Sequence, residues 1–280
     1  MANARGFLEY QRQPVPYRPI DNRVKDYNEI EIPLTPDALT QQAARCADCG
    51  IPFCHGDGCP VANLIPEFND LVYLGKWKEA CENLHSTNNL PEITGRICPA
   101  PCETSCTLAI NDKPVLIRHI EFQIVERGFA EGWIKPLCPT EKSGRTVAVI
   151  GSGPAGISAA QQLARMGHTV TVYEKDAKAG GLLRYGIPDF KLEKWVIDRR
   201  IDQMKAEGVE FRCNINVGRN FSAKDLAICK EDDSKSHKKG SGSESEEKLF
   251  QRSKCIKTDE VQDYMREGNN YCGKCIGEDY

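Results

Sequence analysis

The 280-residue chain contains no run of eighteen apolar residues, so nothing in it reads as a membrane-spanning helix. It has no basic excess either. A net charge of −3 argues against the positive footprint of a nucleic-acid or anionic-membrane binder. The opening "MANARGFLEYQRQ" lacks the apolar core of a secretory signal. No repeat of solenoid length is present. The 14 cysteines are therefore expected in a reducing compartment, the cytoplasm or an equivalent. There, clustered cysteines point to metal or redox chemistry before disulfides. Apolar residues make up 40% of the chain, enough for the cores of about two ordinary domains.

Four segments differ in character. Residues 1–40 are punctuated by Pro14, Pro16, Pro19, Pro33 and Pro36 and mix charges of both signs, which suits an extended arm, either a linker or a docking element. Residues 41–138 hold nine of the cysteines. Between them lie helical patterns: Leu64, Phe68, Leu71, Leu74, Trp77 and Cys81 recur at three- and four-residue steps, and so do Leu116, Ile120 and Ile124. Strand signals are few, so a small helical domain is expected. Residues 144–226 alternate instead. "RTVAVI" is a compact strand run, "PAGISAAQQLARMG" a helix closed by Gly167, "HTVTVYE" a second strand and "GVEFRCNI" a third. Strand–helix–strand alternation implies a parallel sheet. Residues 227–280 are charge-rich, and "KEDDSKSHKKGSGSESEEK" has no apolar periodicity, so this tail is expected to be disordered, with a weak helix around Glu260 to Arg266.

The cysteine pattern of the helical domain is C-x2-C-x4-C-x4-C (Cys46, Cys49, Cys54, Cys59), followed after a gap by C-x3-C-x3-C (Cys98, Cys102, Cys106). Thiolates suit zinc, copper(I) or iron–sulfur clusters. Structural zinc generally takes paired C-x2-C knuckles and uses ligands in fours. Here the domain has one C-x2-C, and seven cysteines do not divide by four. Proline follows Cys59 and Cys98, as it follows the last cysteine of bacterial ferredoxin runs. The pattern favours two [4Fe–4S] clusters, with structural zinc as the alternative. Two cubanes need eight ligands, so one position is open. Candidates are Cys81, Cys138, His55, His85, His119 and Glu121, and spacing does not choose among them. Cys81 sits on an apolar helical stripe and reads as a core thiol. Cys138 reads as structural. His85 and His119 read as surface or capping residues.

"VAVIGSGPAG" places Gly151-x-Gly153-x-x-Gly156 between a strand and a helix, the context in which this pattern binds a dinucleotide. Gly151 permits the tight turn, Gly153 lets backbone approach a pyrophosphate, and Gly156 lets helix and strand pack closely. Glu174 ends the second strand, where a carboxylate suits ribose hydroxyls and disfavours a 2′-phosphate. Gly180 and Gly181 allow another close backbone approach. Arg184 and Lys191 are either phosphate or flavin contacts or ordinary surface charge.

The stretches "RGFLEYQRQPVPYRP", "RCADCGIPFC", "TNNLPEITGRICPAPCETSC", "AVIGSGPAG" and "GGLLRYGIPDFKL" together resemble the glutamate synthase small-subunit family over residues 5 to about 226. The module is shared with dihydropyrimidine dehydrogenase and related NAD(P)H-dependent oxidoreductases. The resemblance implies an α-helical iron–sulfur domain followed by a Rossmann-type FAD domain. It implies that Cys46, Cys49, Cys54 and Cys106 hold one [4Fe–4S] cluster. Cys59, Cys98 and Cys102 would hold the other, with the non-cysteine ligand falling on Glu121. It makes the nucleotide FAD, surrounded by Gly151, Gly153, Gly156, Glu174, Gly181, Leu182, Lys191 and Val217. In the complete family NAD(P)H reduces FAD, and electrons pass through the clusters to FMN in a large subunit, where glutamate is formed.

The family pattern stops abruptly after "FSAKDL". No second G-x-G-x-x-G follows Gly156, so a nicotinamide site and the return to the FAD domain are not found in these residues. The expectation is a partial FAD domain with three of its strands, in a truncated product bearing an unrelated tail, inactive alone with NAD(P)H. The rival is a short electron relay. "YCGKC", Cys272 to Cys275, is a lone C-x2-C in that tail and reads as a chance pair.

Overall fold

A computed structural model describes residue 3, residues 5–223 and residue 226. The expectations for the 227–280 tail, its weak helix and the Cys272 to Cys275 pair lie outside these residues. In chain order the elements are α1 (Gly6–Glu9), α2 (Ile20–Arg23), α3 (Pro36–Ala44), α4 (Ile65–Tyr73), α5 (Trp77–His85), α6 (Pro91–Ile97), α7 (Pro101–Thr104), α8 (Ile117–Ala130), β1 (Thr146–Ile150), α9 (Pro154–Arg165), β2 (Thr169–Tyr173), α10 (Leu182–Tyr185), α11 (Lys194–Ala206) and β3 (Glu210–Arg212). A π-helical turn covers Cys54–Gly58 and a 3-10 turn Thr107–Ile110. The chain forms two compact units. One joins residues 1–136 to 182–203; the other joins 137–181 to the described residues from 204 onward. None of the described helices is long and apolar enough to cross a membrane.

The first unit is helical. Proline in the first turn starts α3, α4, α6 and α7, where its missing N–H costs nothing and its fixed φ is already helical. At α3 the Thr35 side chain adds a cap by accepting from the Ala38 amide. The apolar pattern over residues 64–81 is split into α4 and α5 at Gly75, whose φ of +72° is the left-handed turn that ends a helix. α8 is the central strut. Ile117, Ile120 and Ile124 are fully buried on it, against Phe68, Val72 and Leu84; burying each such side chain contributes about 1.5–3 kcal/mol. Two glycines let neighbouring helices approach. A Cβ on Gly95 of α6 would lie 2.8 Å from Phe122 Cα of α8, and one on Gly128 would lie 2.6 Å from Cys81 Sγ of α5. Cys81 is thus a core thiol, pushed up to about 11 mainly by burial.

The segment before α3 is bound into this unit. Arg45, fully buried, donates to the Tyr10, Pro114 and Lys113 carbonyls and to Asp112. Gln42 donates to the Gln11 carbonyl and accepts from the Gln13 amide. α3 itself begins at Pro36, inside the stretch read as an arm. At the other end, Arg200 of α11 forms a bidentate pair with Glu92 of α6, two contacts of 2.7 Å between side chains almost wholly out of solvent.

The second unit is built on a parallel three-stranded sheet, order β1-β2-β3, in the register Val149 to Val172 and Val172 to Phe211. Val147, Val149, Val170 and Val172 are buried. α9 connects β1 to β2 and ends before Gly167, whose φ is +89°. Glu207, buried, collects Gln161 and Arg165 of α9 and the Leu137 amide.

Candidate functional site

Six of the seven clustered cysteines flank, open or lie within short elements of the helical unit, and Cys49 sits in the loop between Cys46 and Cys54. Cys46 follows α3, Cys54 opens the π-helical turn and Cys59 follows it. Cys98 follows α6, Cys102 lies in α7 and Cys106 precedes the 3-10 turn. Gly58 joins the two runs: a Cβ there would sit 2.9 Å from Cys102 Cα and 2.8 Å from Ser105 Cβ. The loops need unusual backbone as well. Asp48, Ala62 and Ala100 all hold positive φ, 47°, 52° and 56°, a conformation that non-glycine residues adopt only under local constraint.

The thiols fall into two electrostatic neighbourhoods. Cys46 is pushed up to about 12 by burial, with Cys54 and Cys106 adding to the effect. Cys54 is also pushed up to about 12 by burial, with Cys106 and Cys49 adding. Cys49 Sγ lies 3.5 Å from Thr107 Oγ1, one residue past Cys106. In the other neighbourhood, Cys59 is raised by burial and by Glu121 and Cys98. Cys102 is raised strongly by burial, then by Glu121, Cys59, Glu103 and Cys98. Backbone amides of Asn63 and Ala100 point at Cys59 Sγ and Cys98 Sγ, at 3.5 and 3.4 Å. Crowded thiols of this kind resist ionisation until a bound cation supplies countercharge. The donor set fits soft-metal chemistry. Among the described residues, no three His, Cys, Asp or Glu side chains converge tightly enough to hold a single ion.

Of the six candidates for the open position, Glu121 is the one the fold brings to Cys59 and Cys102. It is buried on α8, and burial pushes its carboxyl up to about 7 despite a hydrogen bond from Asn63. His85 Nδ1 donates to the Cys81 carbonyl, a contact within its own helix. His119 corrects the surface reading: it is fully buried, with Nδ1 3.9 Å from Glu31 Oε2, because α8 is packed on more sides than its apolar stripe implies. Cys138 is exposed, near the Ala206 carbonyl of the second unit.

In the second unit the glycine loop has the form its sequence implies. Gly151 has φ +94° and its amide donates to the Tyr173 carbonyl of β2. A Cβ on Gly156 would meet the Gly151 carbonyl at 2.1 Å, whereas one on Gly153 would meet nothing within 4 Å. Space is therefore left open where backbone would approach a pyrophosphate, and α9 starts there without a side-chain cap. Gly181 has φ +51°, and a Cβ added there would lie 3.0 Å from Gly153 Cα. Glu174 is buried and its carboxylate accepts from the Ser152 hydroxyl, the Ser152 amide at 2.9 Å and the Asp176 amide at 2.9 Å. Burial pushes Glu174 up, but these bonds outweigh it and hold it below the usual carboxylate range. Val217 pairs in an isolated bridge with Phe221, whose ring stacks on Tyr173. Leu182 and Lys191 belong to the other compact unit. There Lys191 lines a cavity of about 410 Å³ with Tyr17, Glu31, Arg96, Cys98 and Arg118, and Arg184 is paired with Asp198.

Two residues that pattern reading passes over stand at these sites. Ser152 occupies a free position of the glycine motif, so nothing in the motif marks it. Asn63 follows Cys59 by four residues, where a polar side chain in a loop carries no signal of its own.

Residues 23–133 match the family described as dihydropyrimidine dehydrogenase domain II, 4Fe-4S cluster, and residues 149–199 match NAD(P)-binding Rossmann-like domains. The NADPH-type glutamate synthase small chain of Mycobacterium tuberculosis is 56% identical over 227 residues, covering 81% of this chain and 46% of that protein. That of Bacillus subtilis is 50% identical over 234 residues, 81% of this chain and 48% of that protein. The NADH-type glutamate synthase of Saccharomyces cerevisiae is 50% identical over 223 residues, 79% of this chain and 10% of that protein. The chain thus spans about half the length of the small chains it matches. It carries a helical 4Fe–4S domain followed by a partial Rossmann-type nucleotide domain with a parallel sheet.

Proposed function

We propose that this chain, a homologue of the glutamate synthase small chains over 81% of its length, is the electron-transfer part of a glutamate synthase-type oxidoreductase. It would hold two [4Fe–4S] clusters and FAD, and would serve a large subunit or domain containing FMN in which glutamate is made. When bound, these groups accept electrons from NAD(P)H and deliver them to the partner's flavin. The residues of this chain supply placement and tuning. Cys46, Cys49, Cys54 and Cys106 are assigned to one cluster; Cys59, Cys98, Cys102 and Glu121 are assigned to the other. A carboxylate is a harder ligand than a thiolate, so the second set would have a different potential from the first. Gly151, Gly153, Gly156, Glu174, Gly181, Leu182, Lys191 and Val217 are assigned to FAD. Glu174, held ionised by Ser152 and Asp176, fixes the loop that faces the nucleotide. These 280 residues hold one glycine loop of this type, so the binding of NAD(P)H is not assigned to them.

The division of the thiols into two neighbourhoods, the second including Glu121, carries this reading. Anaerobic purification followed by metal and sulfide analysis tests it. About eight iron and eight sulfide per chain are expected; zinc without sulfide would refute it in favour of a structural zinc protein. The family matched by residues 23–133 supports a second reading, a relay module of a dihydropyrimidine dehydrogenase-like enzyme. Co-purification with an FMN-containing glutamate synthase large subunit separates the two.

A further inference from the structure

Asn63 is the residue through which the second ligand set is tied together. It is 1% exposed and makes three contacts. Its Nδ2 donates to Glu121 Oε1 at 2.9 Å. Its Oδ1 accepts from the Thr87 hydroxyl at 2.8 Å. Its backbone amide points at Cys59 Sγ at 3.5 Å. One buried side chain thus reaches two members of the set, and a third group holds it in place. A carboxylate accepts but does not donate, so the amide of Asn63 must turn its NH2 toward Glu121 and its oxygen toward Thr87, which then donates. With Oε1 occupied, Glu121 keeps Oε2, which accepts no hydrogen bond from the described residues. Cys59 and Cys102 lie within electrostatic reach of that carboxylate.

We infer that Asn63 is a positioning residue, oriented by Thr87, that fixes Glu121 through one oxygen and presents the other to the cluster held by Cys59, Cys98 and Cys102. The inference rests on the reading of Glu121 as a ligand. Partners of this kind orient ligands and tune a metal group without touching it.

The test is EPR and redox titration of the anaerobically purified, cluster-loaded full chain, with iron content measured alongside. Glu121→Ala comes first, and a shift in the signal and midpoint potential of one cluster is expected. Asn63→Leu then shifts the same signal and leaves the other in place, and Thr87→Val shifts it by less. In the Glu121→Ala background, Asn63→Leu adds no further shift, since its effect passes through the carboxylate. If Glu121→Ala moves a signal and neither Asn63→Leu nor Thr87→Val does, the positioning role is overturned while the ligand reading stands. If Glu121→Ala leaves both signals unchanged, the ligand reading fails and takes this inference with it. Equal loss of both signals in Thr87→Val marks a merely structural role and also overturns the inference. Should Asn63→Leu fail to fold, Thr87→Val decides by the same criterion.

Discussion

Alanine at Gly95 drives a methyl group into the backbone of the helix that carries Glu121. The new Cβ would stand 2.8 Å from Phe122 Cα, 2.9 Å from its N and 3.0 Å from its Cβ. Ordinary carbon contacts lie at about 3.5–4.0 Å, so α6 and α8 must part by roughly 0.7 Å. The obstructing atoms are mostly backbone, so no rotamer change relieves them. Overpacking of this kind costs about 1–3 kcal/mol. Against it, alanine in a helix interior gains about 0.8–1 kcal/mol over glycine. The net expectation is a loss of about 1 kcal/mol, or roughly 2–4 °C in melting temperature for a chain of this size. Serine, with less helix gain, should lose more. Circular dichroism melts at one fixed scan rate measure both, because multidomain proteins often unfold irreversibly. A melting temperature equal to or above that of the unsubstituted protein would refute the close approach of α6 to α8. Stability is tied to the site here, since α6 leads into Cys98 and Phe122 adjoins Glu121. If the proposed ligand assignment holds, a Gly95→Ala protein that melts early should therefore show a broadened signal from the cluster assigned to Cys59, Cys98, Cys102 and Glu121.

Glu92→Ala leaves the buried Arg200 guanidinium without its bidentate partner and should cost about 3–5 kcal/mol. Arg200→Met in the same background should restore most of that, read as the midpoint of urea denaturation; a single substitution no worse than the pair would contradict the pairing. Gly156→Ala places a Cβ 2.1 Å from the Gly151 carbonyl. Forcing the loop apart at about 1–3 kcal/mol should weaken FAD retention roughly 5–150-fold. Flavin absorbance after gel filtration measures this, and full retention would count against the loop as the nucleotide site.

The parts of the fold governed by local rules were legible. β1 and β2 were compact apolar runs, the glycine loop sat in its strand–helix context, and Gly167 follows α9 because glycine accepts positive φ cheaply; the break at Gly75 was not legible, since the apolar pattern over 64–81 runs through it. What local rules do not govern was hidden. The segment 182–203 sits within the stretch that reads as nucleotide-binding, yet it is compact with residues 1–136. Polar contacts between residues far apart in sequence account for this: the ion pairs of Arg200 with Glu92 and Arg199 with Glu126, and the hydrogen bond that Glu193 accepts from the Glu29 amide. None of these leaves a periodic trace. The prolines of the first 35 residues look like those of a free arm, because the buried Arg45 that holds Tyr10 lies downstream and reads as an ordinary charge. In the cysteine site, spacing counted seven thiols but did not sort them. The two runs meet where Gly58 lies against Cys102, a contact between segments some forty residues apart, and the division of ligands is what the family resemblance implies.

The interleaving of the two thiol neighbourhoods bears on how such a protein can change over time. The first spans Cys46 to Cys106 and the second Cys59 to Glu121, so the two share the stretch 59–106. No cut in the chain yields one neighbourhood whole without disrupting the other. Neither can be excised as a peptide mimic, grafted alone onto another scaffold, or lost by a short deletion that spares its neighbour. Recombination must move the pair as a block.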